Sequence, residues 1–284
     1  MASGRNVMSE ALAVSHAAFG RATLYRLDRP IIVHAHREGH LIFYLSEATA
    51  RMAVGDANVL LDKSTVVAVS PWEPHNFQVD SAWAGAACIC LVLYIKPVWF
   101  LENAQSAEYA LSFGRSDIRV TPSLLHLAMR LAAALRDGIE DVDVEPLFFE
   151  VTRLAYQLSW EDGQTTLVRP HHTNALCDFR VRRSLRLLKE FVGDEIEIES
   201  VAREVGLSRP HFFKLFKQQV GIPPTMYLNT LRSERAIESL ITTDRTVANI
   251  ADDLGFSSQA SFSRFFAANV GIPPSEYRRV AHHV

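Results

Sequence analysis

Two groups of residues in this 284-residue chain have the types and spacings that chemistry requires. The first is a histidine set, His34-x-His36-x3-His40, followed by Pro71-Trp72-Glu73-Pro74-His75. On an extended strand His34 and His36 project to the same side. Imidazoles gathered there, with a fourth from a neighbouring strand, suit a divalent metal. The same pocket could instead take an organic effector, with Trp72, Phe77, Trp83, Phe43 and Tyr44 as its apolar lining or as plain core. The second group lies in the C-terminal third, where cations and small polar residues recur on a repeated frame.

The first copy of that frame reads Ala202-x3-Gly206-x-Ser208-x3-Phe212-x3-Phe216-x4-Gly221-Ile222-Pro223-Pro224-x2-Tyr227. The second reads Ala251-x3-Gly255-Phe256-Ser257-x4-Phe262-x3-Phe266-x4-Gly271-Ile272-Pro273-Pro274-x2-Tyr277, with one residue inserted between Ser257 and Phe262. Each copy predicts a short helix, a tight turn and a second helix. Gly206 supplies a left-handed turn residue, Ser208 is placed to cap the next helix, and Pro210 fits its first turn. Phe212, Leu215 and Phe216 fall on one face in the first copy, and Phe262, Phe265 and Phe266 in the second, as core. The opposite faces carry Arg209, Pro210, Phe213, Lys214 and Lys217, then Ser258, Gln259, Ala260, Ser263 and Arg264. Cations, Gln and Ser read base edges and phosphates in a major groove, and apolar groups meet thymine methyls. Thr225 to Ile241 reads as one long helix joining the copies, with Tyr227 or Leu228, Leu231, Ala236 and Leu240 as its stripe.

The elements that position these residues divide the chain. From about residue 20 to 100, apolar runs separated by turn signals read as short strands: 24–27, 31–33, 41–45, 57–61, 66–69 and 88–95. That rhythm predicts an antiparallel sandwich or barrel. From Pro122 the period becomes helical, over 123–136 and 147–158. These helices are amphipathic enough to pack on the strands and to offer a face to a second subunit. Glu161 to Asp178 has no period and reads as a linker, and everything beyond it is helical. Charge divides at the same place. Residues 1–178 hold 14 Lys/Arg and 20 Asp/Glu, net −6; residues 179–284 hold 15 and 12, net +3. The overall −3 therefore averages an acidic half and a basic one, and argues less against a nucleic-acid partner than it first suggests.

Composition excludes several classes. Charged residues are 21% and apolar ones 48%, ordinary for a globular protein and wrong for a disordered one. No apolar run reaches the roughly 18–20 residues that span a bilayer, and the N-terminus lacks a secretory h-region. Three cysteines, Cys88, Cys90 and Cys177, make a disulfide framework unexpected and fit a reducing, cytoplasmic setting. Cys88 and Cys90 point to one side of an apolar strand, as buried small residues or a redox pair.

The segment from about Phe179 to Arg279 resembles the DNA-binding domain of AraC/XylS-type transcription regulators. The matching residues are Ala251-Asp252-Asp253-Leu254-Gly255-Phe256-Ser257-Ser258-Gln259, Phe262-Ser263-Arg264-Phe265-Phe266 and Gly271-Ile272-Pro273-Pro274-Ser275-Glu276-Tyr277-Arg278. The resemblance implies two helix-turn-helix units in adjacent major grooves, with Arg209, Pro210, Phe213, Lys214, Gln259, Ala260, Ser263 and Arg264 facing the bases. It further implies a cupin-like N-terminal barrel that senses an effector, a homodimer, and RNA polymerase as a partner. The histidine spacing resembles that of metal-binding cupins, with Glu73 where a glycine is usual. The expected architecture is thus α+β in two domains: a cupin-like antiparallel barrel with trailing helices at 1–160, a linker at 161–178, and an all-α DNA-binding domain at 179–284. The expected function is a ligand-responsive regulator, an activator and not an enzyme. A metal-dependent cupin enzyme fused to a DNA-binding domain, or an effector-independent regulator, are the alternatives.

Overall fold

The central strands of the N-terminal half, at residues 39–44, 65–69 and 88–95, are apolar at most positions because both of their faces are covered. This emerges from a computed structural model that describes residues 9–46, 49–78, 87–104, 111–137, 143–161, 178–190, 192–193 and 197–281. Its strands are β1 (Glu10–Ala17), β2 (Gly20–Leu27), β3 (Ile31–His34), β4 (Gly39–Tyr44), β5 (Ala50–Val54), β6 (Ala57–Leu61), β7 (Thr65–Val69), β8 (His75–Gln78), β9 (Cys88–Ile95) and β10 (Asp117–Arg119). They form two antiparallel sheets, one in the order β1-β2-β9-β4-β7-β10 and one in the order β3-β8-β5-β6. Successive side chains alternate between two cores. Leu41, Phe43, Leu91 and Leu93 face one core. Ile42, Tyr44, Val92 and Tyr94 face the other, shared with Met52, Val59 and Phe77 of the smaller sheet.

The first core is closed by helices α1 (Pro97–Asn103), α2 (Pro122–Asp137) and α3 (Val144–Trp160). Leu124, Leu131, Phe148 and Val151 pack there against Phe19 and Leu24. The helical period places α2 and α3 closely. It does not mark α1, and the strand signals do not mark β1, β5, β8 or β10. Ser15 and His16 interrupt the apolar pattern of β1, and β8 is four residues long. Cys88 and Cys90 are buried and free, with sulfurs 3.7 Å apart.

The C-terminal half comprises α4 (Phe179–Glu190), α5 (Ile198–Glu204), α6 (Arg209–Val220), α7 (Pro224–Thr242), α8 (Val247–Asp253), α9 (Gln259–Val270) and α10 (Pro274–Ala281). The two helix-turn-helix units are α5–α6 and α8–α9, with α7 between them. Gly206 and Gly255 both adopt φ +71, the left-handed turn that the spacing requires. Capping departs from the expectation. Ser208 stands at the N-cap of α6, but its side chain makes no cap bond; Ser258 caps α9 by accepting from the Ser261 amide at 3.1 Å. Ser258, not Ser257, is thus the positional equivalent of Ser208. Leu215 and Phe265 are half-buried rather than core, while Phe212, Phe216, Phe262 and Phe266 are fully buried.

Of the linker predicted at 161–178, residues 162–177, Cys177 among them, lie outside the described residues, as does Trp83. Among the described residues no helix is long and apolar enough to cross a membrane.

The two halves are packed together. The second core continues from the sheets into Leu240, Ile250, Phe262, Phe266 and Tyr277. The first helix-turn-helix has a separate core of Val201, Phe212, Phe216 and Leu231, to which the N-terminal half adds Ala35 and Trp72. Gly271 marks the seam: its φ is +91, and a Cβ there would meet Ile31 Cδ1 at 3.0 Å and Leu27 Cδ2 at 3.3 Å. A Cβ on Gly206 would meet nothing within 4 Å. Gly206→Ala should therefore cost roughly the 1–2 kcal/mol of left-handed strain alone. Gly271→Ala should cost measurably more in urea unfolding; equal costs would mean that the seam is not packed.

Candidate functional site

The exposed faces of α6 and α9 are built by the same arithmetic. Burying every third or fourth residue turns the intervening ones outward. Arg209, Pro210, Lys214 and Lys217 are exposed on α6, and Phe213 is half-buried. Ser258, Gln259, Ala260 and Arg264 are exposed on α9, and Ser263 is half-buried. Arg209 and Gln259 open their helices, where the unpaired amides and the helix dipole favour anions.

The cations are not equivalent. Arg209 lies 2.5 Å from Glu199 of α5, and its guanidinium stands 5.2 Å above the Phe213 ring. It must leave Glu199 to reach a phosphate or a base. Sequence reading missed this partner because acids and bases ten apart on two helices carry no signal of pairing. Among the described residues no acid pairs with Lys214, Lys217 or Arg264, so these enter a groove without breaking a bond.

A second site lies between the halves. A cavity of about 230 Å³ is lined by Arg21, His34, His36, Glu38 and Tyr94 on one side and by Met226, Asn229, Thr230 and Ser233 of α7 on the other, with Asn269 of α9. That is somewhat below the roughly 300–1,000 Å³ of drug-sized ligand sites, and suits a small molecule. Arg21 is 5% exposed; it donates to Tyr277 Oη at 2.8 Å and lies 3.4 Å over the Tyr94 ring. Among the described residues no carboxylate forms an ion pair with it. Buried charge of this kind needs compensation, and the aromatic faces, the tyrosine hydroxyls and the nearby Glu38 carboxylate supply part of it. Nothing in the amino-acid pattern singles out Arg21, since its partner Tyr277 is 256 positions away.

Contacts around the cavity tie the halves together. Thr230 donates to the Ala35 carbonyl at 2.6 Å, Arg37 pairs with Glu234, and the Trp72 ring stacks on Tyr227 at 5.1 Å and 13°. Trp72 holds φ +66, costly for a bulky side chain.

The histidines do converge. His34 pairs in register with His75, while His36 lies past the end of β3 rather than on it. Ring centroids are 4.3 Å apart for His34–His75, 4.9 Å for His36–His75 and 3.8 Å for His36–His40. Burial and mutual repulsion hold His36 and His40 well below the ordinary imidazole range, and burial does the same to His75. All are neutral near pH 7. Phe43, Tyr44 and Phe77 are core rather than pocket wall, whereas Trp72 belongs to the seam.

Paired helix-turn-helix units with outward cations, packed on a β-rich domain with a cavity, are an arrangement suited to binding DNA. The comparisons agree. A family described as a helix-turn-helix domain matches residues 201–280. The regulatory protein PocR of Salmonella typhimurium is 34% identical over 102 residues, which is 36% of this chain and 34% of PocR, so the chain spans only about a third of that relative. The transcriptional activator RhaS of Citrobacter koseri is 25% identical over 270 residues, 89% of this chain and 90% of RhaS. The crystal structure of ToxT from Vibrio cholerae O395 shares the fold, with TM-score 0.55 at 15% identity over 93% of this chain and 98% of ToxT. ToxT from Vibrio cholerae strain SCE256 has been solved bound to an unsaturated fatty acid, matching 95% of this chain and 98% of ToxT at 13% identity and TM-score 0.55. Residues 201–280 thus match a helix-turn-helix family, and the chain as a whole is similar to RhaS in sequence and to ToxT in fold. PocR and RhaS are a regulatory protein and a transcriptional activator, and lend the enzyme alternative no support.

The seam also carries a titratable group. His16 Nε2 accepts from Tyr277 Oη at 3.0 Å, and burial, then the charges of Arg21 and Lys96, lower its pKa from 6.5 to about 3. A depressed imidazole contributes stability that is complete above its unfolded pKa and is lost as pH falls toward the folded one. Unfolding free energy should therefore decline from pH 6.5 toward about 3, and more steeply than in His16→Gln. Identical pH profiles in denaturant titrations would contradict the assignment.

Proposed function

We propose that this regulator responds to a small anionic effector held in the interdomain cavity, and that α6 and α9 read adjacent major grooves. The observation that carries the reading is the cavity's position, with sensor residues on one wall and the helix joining the two DNA-reading units on the other. A ligand there touches both halves at once. It can act by favouring one arrangement of them, provided that its affinity differs between arrangements. Arg21 is the anchor, because Glu38 on the same wall acts on it only through the field and a ligand carboxylate would give it a direct ion pair. The fatty acid bound to ToxT is likewise a carboxylic acid.

On the DNA side, Arg209, Pro210, Phe213, Lys214 and Lys217 form the first reading face and Ser258, Gln259, Ala260, Ser263 and Arg264 the second. Gln259 suits adenine and Arg264 guanine. The N-terminal sheets, facing each other across one core, fit a cupin-like barrel. Leu125 and Met129, one turn apart on α2 and 42% and 49% exposed, suit a homodimer contact. The likeness to RhaS favours an activator that meets RNA polymerase in the cytoplasm.

Mobility shifts on the DNA upstream of the gene and of its neighbours test the reading. Arg264→Ala should cost about 1–3 kcal/mol and relax preference at one base pair. Lys214→Ala should weaken binding to all sequences alike and flatten the log–log salt slope by about 1. Parent-like binding by both variants at moderate salt would refute the groove assignment. For the effector, carboxylates should raise the melting temperature and their amides should not, with the response lost in Arg21→Gln. Equal shifts in Arg21→Gln would remove the anchor.

A further inference from the structure

The histidine cluster offers more than a pocket wall. His34 Nδ1 lies 2.8 Å from the Ile32 carbonyl, His36 Nδ1 3.1 Å from that of Glu38, and His75 Nδ1 2.8 Å from that of Glu73. A carbonyl only accepts, so each Nδ1 carries the proton and each Nε2 presents a lone pair. A ring fixed through its other nitrogen to a carbonyl is the usual support of a metal-ligating histidine. Nε2 of His36 and of His75 is buried with no hydrogen-bond partner among the described residues. Buried polar atoms without partners are rare enough to call for a bound species. One ligand nitrogen from each of His34, His36 and His75 lies within 4.8 Å of the other two.

We propose that His34, His36 and His75 bind a divalent transition metal through their Nε2 atoms. An all-imidazole set suits zinc, cobalt, nickel or iron rather than calcium or magnesium. Zinc–nitrogen bonds of about 2.0–2.1 Å would draw the three nitrogens closer together. His34 and His36 also line the interdomain cavity, so the site would border it. Occupancy would clamp the turn that carries Trp72. His75 is bonded to the Glu73 carbonyl, and the Trp72 amide donates to the His36 carbonyl at 2.8 Å. The Trp72 ring rests on Tyr227 of α7, so the metal would brace the seam from the sensor side. The proposal rests on the histidines and not on the anionic effector.

The test uses the full chain purified without a histidine tag, stripped with a chelator and titrated with Co²⁺, then with Zn²⁺ in competition. The expected result is one equivalent of Co²⁺ per chain with the intense visible bands of low-coordinate cobalt, bleached by Zn²⁺, and a rise in melting temperature with Zn²⁺. His36→Ala and His75→Ala should each lose the bands and weaken binding by more than about 100-fold, beyond the effect of losing an outer hydrogen bond. Should either fail to fold, His34→Gln at the half-buried edge of the cluster should do the same. Paired alanines at His171 and His172, or at His282 and His283, should change nothing. Absence of stoichiometric cobalt from the folded parent would overturn the proposal, as would bands that survive in the folded variants. A parent that binds no metal yet shifts DNA and responds to carboxylates would overturn the metal site alone and leave the effector reading standing.

Discussion

The structure depends on one shared apolar cluster that runs from the N-terminal sheets into the second helix-turn-helix. Phe262, Phe266 and Tyr277 complete that unit's core, and they do so within the same cluster as Tyr25, Leu27 and Ile42 of the sheets. At its polar edge Tyr277 accepts from Arg21 and donates to His16, a chain that needs a neutral imidazole. Buried hydrogen bonds strengthen one another in a low-dielectric interior, although Arg21 Nε is left without a partner among the described residues. Helix α9 therefore takes its position from the N-terminal sheets. The first rests on a core of its own, touched by the N-terminal half at Ala35 and Trp72.

That asymmetry gives a physical meaning to regulation in this chain. A ligand in the cavity would bear on α7, the helix between the two helix-turn-helix units, and on Asn269 of α9. The strained Trp72 turn sits where the N-terminal half meets α7. Strain of this sort persists only where its surroundings over-determine it. With a net charge of only +3 on residues 179–284, affinity for DNA rests on a few placed cations rather than on a broad positive field. One of them, Arg209, is already engaged by Glu199.

Much of the DNA-reading half was legible because helical period, left-handed glycines and Pro-Pro steps punctuate it twice. The long joining helix and its stripe of Tyr227, Leu228, Leu231, Ala236 and Leu240 are all buried as the period required. The caps were half legible: serine type marks a cap, but only backbone geometry decides that Ser258 bonds and Ser208 does not. In the sensor the longest apolar runs became strands, while β8 and β10 were too short to rise above the background. The histidines were legible by type, and their convergence came from the pairing of β3 with β8. Arg21, His16 and Glu199 were not legible, because their importance comes from partners brought in by tertiary packing.

If the cavity and the DNA-reading faces share one equilibrium, disturbing the first must be felt at the second. The most direct test is the DNA affinity of the intact protein with the cavity filled by Asn229→Trp, a change on α7 away from both reading faces. Coupled sites typically shift each other by about 5–150-fold. A shared equilibrium predicts a change of at least about 5-fold in DNA affinity, in a variant that still melts cooperatively. A folded Asn229→Trp protein with unaltered affinity would contradict it.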